Sequence, residues 1–145
     1  MALGPLTYKT PAQITTIGSD LTGSEGCGVT LTSTQGAIEI ANAATDFPYG
    51  IVVVGSDSLT PGTYPSQVAA GALEIVDALG CAVQVQAGAG AITVGLKVTV
   101  DSNGKFVTAA GAAAGDWVWG FALTAAPAGG QFLIRFQPYI VYSLT

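Results

Sequence analysis

The sequence predicts an all-β protein, a compact β-sandwich or barrel-like domain built of hairpins, and three observations support this. Turn signals rich in Gly, Pro, Asn and Asp recur about every 8–15 residues along the chain. Between these signals β-branched residues are frequent, and their side chains suit the pleated surface of a strand. Almost no stretch shows the apolar period of an amphipathic helix, so hairpins should build the core.

One pattern of strands and turns occurs twice. The first repeat contains Val29–Thr32, Ser33–Gly36, Ala37–Ile40 and Asp-Phe-Pro-Tyr-Gly at 46–50; the second contains Val98–Val100, Asp101–Gly104, Lys105–Thr108 and Asp-Trp-Val-Trp-Gly at 116–120. The Asp motifs are 70 positions apart, and the turn glycines Gly36 and Gly104 are 68 apart. We therefore predict pseudo-repeats at about residues 29–76 and 98–137, forming one pseudo-symmetric domain or two alike lobes. Chance similarity in a chain rich in Ala, Gly and Thr is the alternative.

The chain is long enough for one domain with a real core. We expect a single β-rich domain at residues 13–145, preceded by an extended N-terminal arm at residues 1–12. Pro5 and Pro11 interrupt any helix in the arm, and Leu3, Leu6 and Tyr8 are apolar anchors without a clear period. The arm is either a frayed terminus or a segment that becomes ordered on a neighbouring subunit.

The composition suggests a surface that partners cover. Half of the chain is hydrophobic and only 9% is charged, whereas soluble domains average about 25% charged residues. Either small uncharged side chains cover the surface, or much of it is hidden in an assembly. The second interpretation fits an obligate oligomer or a component of a larger particle.

Charge and hydropathy argue against two classes of partner. The net charge is −5, and Lys9, Lys97, Lys105 and Arg135 are the four bases. Nucleic-acid binding needs several bases on one surface to displace phosphate counterions, so we expect no nucleic acid. No apolar run is long enough to cross a membrane, and the start lacks the basic and apolar regions of a signal peptide. We expect synthesis in a cytoplasm and no membrane partner.

The chain offers little for catalysis. It has no histidine, which removes the usual general base and most zinc sites. Glu74 and Asp77 are the closest acidic pair in an apolar context, but on a strand they would face opposite sides. Cys27 and Cys81 belong to no metal motif, and we expect free thiols, with a disulfide as the alternative. We predict no catalytic, metal or cofactor site and no enzymatic activity.

Two further motifs have a structural and a functional interpretation. Asp101–Gly104 resembles the start of a calcium loop, but no Glu occurs beyond Asp77, so a hairpin turn is favoured. Trp117, Trp119 and Phe121 alternate and should share one face, either in the core or in a subunit interface. Gln131–Phe136 is a predicted strand, on which Phe132, Ile134 and Phe136 should form a matching face, and Tyr139–Tyr142 is predicted as the last strand. The predicted interface residues are Leu3, Leu6, Tyr8, Trp117, Trp119, Phe132, Phe136, Tyr139 and Tyr142.

The region from about Gly80 to Phe136 carries a family resemblance. Its pattern is a small-residue approach, a Lys-Val strand, an Asp-x-x-Gly turn and a later Gly-x-Ala-Leu strand, at Ala91–Lys105, Gly120–Leu123 and Ala128–Phe132. This pattern resembles that of small bacteriophage capsid decoration proteins, also called cement proteins. The resemblance covers roughly the C-terminal two-fifths of the chain, and the first repeat is a weaker version of it.

The resemblance implies a structural virion protein. Such a protein binds the outer surface of a tailed-phage head, often as a homotrimer, and stabilises the expanded capsid. The implied partners are the major capsid protein and further copies of the chain, and the implied location is the outer surface of the virion. The alternatives are another phage structural module of a tail or fibre, or a glycan-binding adhesin domain.

Overall fold

The computed structural model describes residues 16–17, 21, 23–31, 37–54, 73–76 and 79–143. Every regular element in these residues is a strand. The ten strands are β1 (Thr16–Ile17), β2 (Gly28–Leu31), β3 (Ala37–Ile40), β4 (Gly50–Val54), β5 (Leu73–Val76), β6 (Ala82–Gln86), β7 (Lys97–Val100), β8 (Phe106–Thr108), β9 (Trp117–Ala122) and β10 (Gln131–Ile140). No membrane-spanning helix is found in the part of the chain that is described.

The strands form two five-stranded sheets, which confirms the all-β prediction. The N-terminal sheet has the order β1-β3-β2-β4-β5, and the C-terminal sheet has the order β6-β10-β9-β7-β8. All strand pairs are antiparallel except β1 with β3. Consecutive strands pair in the hairpins β2–β3 and β7–β8, whereas β4 and β9 return beside β2 and β7 and not beside the strands that precede them in the chain.

The two sheets share the order of four strands. The order β3-β2-β4-β5 in one corresponds to β8-β7-β9-β10 in the other. The register agrees as well, since Val29 pairs with Ile40 and Gly50, while Val98 pairs with Thr108 and Gly120. The sequence repeat therefore has a counterpart in strand order and register. The proposed domain boundaries stay predictions.

The turns before β2 and β7 also correspond. The amide of Gly26 donates to the carbonyl of Val52 over 2.9 Å, and the amide of Gly95 donates to that of Ala122 over 2.8 Å. Both glycines have left-handed backbones, with φ of 79° and 83°. Only glycine adopts this conformation at little cost, which explains why both turns carry it.

The C-terminal sheet curls until its two edges meet. Ala87, directly after β6, forms a parallel bridge with Phe106 at the start of β8. The amide of Gly88 then donates to the carbonyl of Phe106 over 2.8 Å. This contact gives the C-terminal sheet a barrel-like closure and protects its edges from strand addition.

Two hydrophobic clusters fill the interior. The main core joins both sheets and contains Ala41, Ile51, Val53, Val83, Val85, Ala87, Ile92, Val98, Val100, Phe106, Trp119, Ala122, Ala126, Phe132, Ile134 and Phe136. Trp119 lies at its centre, 5.6 Å from the ring of Phe106 in an edge-to-face contact and 6.2 Å from the ring of Phe136. The minor core contains Leu21, Val29, Ile38 and Val52. Such aromatic pairs contribute about 0.5–1.5 kcal/mol beyond burial of their area.

The sheets meet at a glycine. The amide of Gly28 donates to the carbonyl of Gly104 over 2.8 Å. A Cβ atom added at Gly28 would lie 2.6 Å from Cη2 of Trp119 and 3.0 Å from Cγ1 of Val100. The amide of Gln86 donates to the carbonyl of Gly26 over 3.0 Å nearby. The hairpin tip and β6 of the C-terminal sheet therefore pack directly on the backbone of the N-terminal sheet.

The end of the chain departs from the sequence prediction. The sequence predicts separate strands at Gln131–Phe136 and Tyr139–Tyr142, but β10 runs without a break from Gln131 to Ile140. Its register shifts between Phe136 and Tyr139. Pro138 lies in this irregular stretch, where the amide that proline lacks is not needed for the ladder. One continuous strand with a bulge thus replaces the two separate strands that the sequence predicts.

Candidate docking surfaces

Strand alternation gives the C-terminal sheet a solvent-facing surface with an apolar centre. Leu133 and Arg135 are exposed on β10, and the residues between and beside them are buried. Phe121 pairs with Lys97 on one side and with Arg135 on the other. The amide of Leu123 donates to the carbonyl of Leu133 over 2.7 Å, which places these two residues side by side. We call Lys97, Phe121, Leu123, Leu133 and Arg135 the outer face.

The two cations of the outer face have weak contacts. Nζ of Lys97 lies 5.7 Å from the ring centroid of Tyr139. Nη1 of Arg135 donates to the carbonyl of Gly80 over a long 3.4 Å. Neither residue forms an ion pair with the described part of the chain. Apolar residues with a polar rim are the usual anatomy of a protein interface.

A second surface is an aromatic groove of about 460 Å³. It is lined by Phe47, Pro48, Tyr49, Leu79, Trp117, Phe136 and Pro138. Phe47 and Trp117 meet edge to face with ring centroids 5.4 Å apart. Phe47 is 50% exposed and Leu79 is 74% exposed. Large aromatic side chains that remain accessible are frequent binding hot spots.

Several predicted interface residues are buried in the main core. Trp119, Phe132 and Phe136 are at most 2% exposed. Their contacts are with this chain's own residues, as the core interpretation of the aromatic stripe requires. Phe121 does not join Trp117 and Trp119 in packing against this core. Within β9 the consecutive residues Val118, Trp119 and Gly120 are all buried and Phe121 is only partly so, which means that Trp117, Trp119 and Phe121 do not share one buried face.

The remaining predicted interface residues differ in exposure. Trp117 and Tyr139 are half-buried, and Tyr142 is 77% exposed. Their part in an interface stays a prediction. The predictions at Leu3, Leu6 and Tyr8, at the turn Ser33–Gly36 and at Asp77 lie outside the described residues.

Sequence reasoning missed most of both surfaces. Phe47, Tyr49 and Leu79 come together in the groove although they lie in loops, where no periodicity marks an apolar residue. Leu123 and Leu133 read as ordinary strand residues, because alternation alone does not tell which face is covered. The signal that could have found them is the chain's low charge combined with apolar residues on both faces of β9.

The groups with catalytic potential have structural contacts. Oδ1 of Asp101 accepts hydrogen bonds from the amides of Asn103 (2.8 Å) and Lys105 (3.1 Å), which confirms the hairpin turn. Cys27 and Cys81 form no disulfide, and burial raises the pKa of Cys27 to about 11. Among the described residues no three His, Cys, Asp or Glu side chains are grouped to hold a metal ion.

Comparison with known proteins gives a likeness of fold. No protein-family model and no curated protein matches the chain. A solved structure, the N base of the head fiber protein gp8.5 of bacteriophage phi29, matches with a TM-score of 0.51 at 16% sequence identity. The match covers 89% of this chain and 95% of that chain. The protein thus shares its overall fold with the base of a phage head fiber.

Proposed function

We propose that the protein is a structural component of a tailed-phage virion that binds the outer surface of the head and stabilises the expanded capsid. The observation that carries this proposal is the fold likeness to the base of a phage head fiber over nearly the whole of both chains. The resemblance of residues 80–136 to capsid decoration proteins supports it independently.

The surfaces of the molecule suit this role. The outer face and the aromatic groove offer apolar area on a domain whose described residues contain no grouped metal ligands. A protein that binds only the expanded shell stabilises that state by mass action. Many identical sites on one shell raise the effective affinity further when copies also contact one another. The proposed partners are the major capsid protein and further copies of this chain, and no catalytic step is involved.

A second candidate function is the attachment of a fibre to the head. The specific observation in its favour is that the matched structure is the base of a head fiber. Both functions require binding to the head surface. They differ in their effect on the head, because a cement protein stabilises the shell, whereas a fibre base needs only to stay bound to it.

The test uses purified full-length protein and phage heads that lack it, in the expanded and the unexpanded form. Co-sedimentation should show saturable binding to expanded heads and weaker binding to unexpanded heads. A cement protein should also raise the temperature at which expanded heads release their DNA. Binding without such a rise favours the fibre base, and absence of binding to both forms contradicts both functions.

A further inference from the structure

The two sheets place corresponding residues in opposite environments. We call two residues equivalent when they occupy the same position in the shared strand order and register. Ile51 and Phe121 are equivalent because Gly28 and Lys97 pair with them in the same way. Ile51 is fully buried in the main core, whereas Phe121 lies on the outer face. The face of the N-terminal sheet that corresponds to the outer face is therefore covered.

Neighbouring positions repeat this difference. Val53 lies in the main core, and its equivalent Leu123 is exposed. Cys27 is 5% exposed, and its equivalent Leu96 is 42% exposed. The covering elements belong to the C-terminal sheet, as the contacts of Gly26 with Gln86 and of Gly28 with Gly104 show.

The residues that do the covering show the opposite difference in burial: buried in the C-terminal sheet and exposed in the N-terminal sheet. Val100 of the C-terminal sheet is buried, and its Cγ1 lies 3.0 Å from the Cβ position of Gly28. Its equivalent in the N-terminal sheet is Leu31, because these residues pair with Phe106 and Ile38 respectively. Leu31 is 44% exposed. Among the described residues, the position that covers Gly28 from the C-terminal sheet is thus exposed at its equivalent, Leu31, in the N-terminal sheet.

From these contacts we infer that the outer face docks the N-terminal sheet of a second molecule of this chain, in a head-to-tail contact that repeats the contact between its two sheets. Leu31 of the second molecule then meets Lys97 of the first, as Val100 meets Gly28 within one chain. A contact of this kind uses two different surfaces, so it forms a closed ring if the rotation closes and a filament if it does not.

The charges fit this occupant. The outer face holds two of the four bases of a chain whose net charge is −5, so the remaining surface of a second molecule is anionic and complements this face locally. The outer face carries Lys97 and Arg135, two of the four bases, where the N-terminal sheet has the uncharged residues Gly28 and Val76 at the equivalent positions. A permanently covered face needs no charge, whereas a face exposed before assembly stays soluble with charges at its rim.

Two substitutions that introduce a negative charge test the contact in the whole chain. Leu123→Glu places a negative charge in the outer face. Leu31→Glu places one on the N-terminal sheet, at the position proposed to dock on the outer face of another molecule. Both side chains are partly exposed, so folding should survive, as circular dichroism and thermal unfolding would verify. We expect each variant to weaken self-association about tenfold or more in sedimentation velocity and native mass spectrometry. Ala89→Glu, which adds the same charge on an exposed turn, is the control and should associate like the parent.

Mixing the two variants is the decisive measurement. Each retains the surface that the other lacks, so a mixture should form one-to-one pairs that grow no further. If two outer faces met about a two-fold axis, Leu31→Glu alone would associate like the parent, and the mixture would give no one-to-one pairs of the two variants. A parent chain that stays monomeric at tens of micromolar, or variants that associate like the parent, would overturn the inference. The outcome is independent of head binding, so it is separable from the proposed function.

A disulfide test fixes the register of the contact. In a background of Cys27→Ser and Cys81→Ser, Leu31→Cys mixed with Lys97→Cys should cross-link under mild oxidation, because disulfides need Cβ atoms about 3.5–4.5 Å apart. Neither variant alone should cross-link. If Lys97→Cys links to itself, or if the mixture gives no link while the parent associates, the proposed register is wrong.

Discussion

The N-terminal and C-terminal sheets have the same strand order and register but different surroundings. In the N-terminal sheet, Cys27, Gly28, Ile51 and Val53 are covered by the other sheet; their equivalents in the C-terminal sheet are Leu96, Lys97, Phe121 and Leu123, which are at least partly exposed. Local backbone structure is thus set by turns and pairing, whereas burial is set by what packs on a face. Substitutions at equivalent positions separate these two contributions.

The largest difference is expected between Trp119 and its equivalent Tyr49. Trp119 is fully buried at the centre of the main core, while Tyr49 is partly buried against the minor core. Trp119→Ala should lower the free energy of unfolding by about 3–5 kcal/mol, the usual cost of emptying such a site. Tyr49→Ala should cost clearly less. Urea unfolding of both variants measures the difference, and equal losses would contradict the asymmetry of the two cores.

The second comparison is between Gly28 and Lys97. Gly28→Ala places a Cβ 2.6 Å from Trp119 Cη2 and should cost about 1–3 kcal/mol through overpacking. Lys97→Ala removes an exposed side chain, and its effect should stay within about 0.5 kcal/mol. Chemical denaturation of the two variants checks this. A neutral Gly28→Ala would mean that the contact between the sheets has room to relax.

A smaller and more equal effect is expected at the two Asp turns. Oδ2 of Asp46 accepts hydrogen bonds from the amides of Asn42 (2.8 Å) and Ala43 (3.1 Å), and Oδ2 of Asp116 accepts one from Ala113 (2.7 Å). Asp46→Ala and Asp116→Ala should each cost about 1 kcal/mol, because an amide loses its acceptor. Thermal unfolding measures both. If the two variants lost severalfold different amounts of stability, the two Asp turns would not contribute equally to the fold.

The smallest effect on stability is expected at Cys27, where chemical reactivity is the better measure. Burial raises the pKa of this thiol from 9.0 to about 11, so it stays protonated and slow with thiol reagents at pH 8. As pH rises, the Cys27 thiol ionises in the unfolded chain before it ionises in the folded chain. Its contribution to the free energy of unfolding is therefore intact below about pH 9 and is lost between about pH 9 and 11. In a Cys81→Ser background, Leu96→Cys should react much faster than Cys27. Similar rates would contradict the difference in burial between these equivalent positions.

The all-β class and most strands could be predicted from the sequence because they depend on local patterns. Asn103-Gly104 marks its hairpin, and the spacing of the two Asp motifs anticipates the shared strand order. The bulge at Pro138 was not predicted, because a proline between two apolar runs also fits a chain reversal. The aromatic groove was missed because Phe47, Tyr49 and Leu79 come from loops, and only the tertiary packing brings them beside Trp117 and Phe136 of the C-terminal sheet.

The sequence by itself determined where most of the turns and strands lie, and that a pattern of two strands around a turn followed by a third strand occurs twice. Those features follow from neighbours along the chain and from the chemistry of glycine, asparagine and branched side chains. Only the tertiary structure decided that Ile51 is buried and Phe121 is not, and that Trp119 is core while Leu123 is surface. Equivalent strands have similar local patterns, and burial depends on the second layer that packs against one of them and leaves the other open.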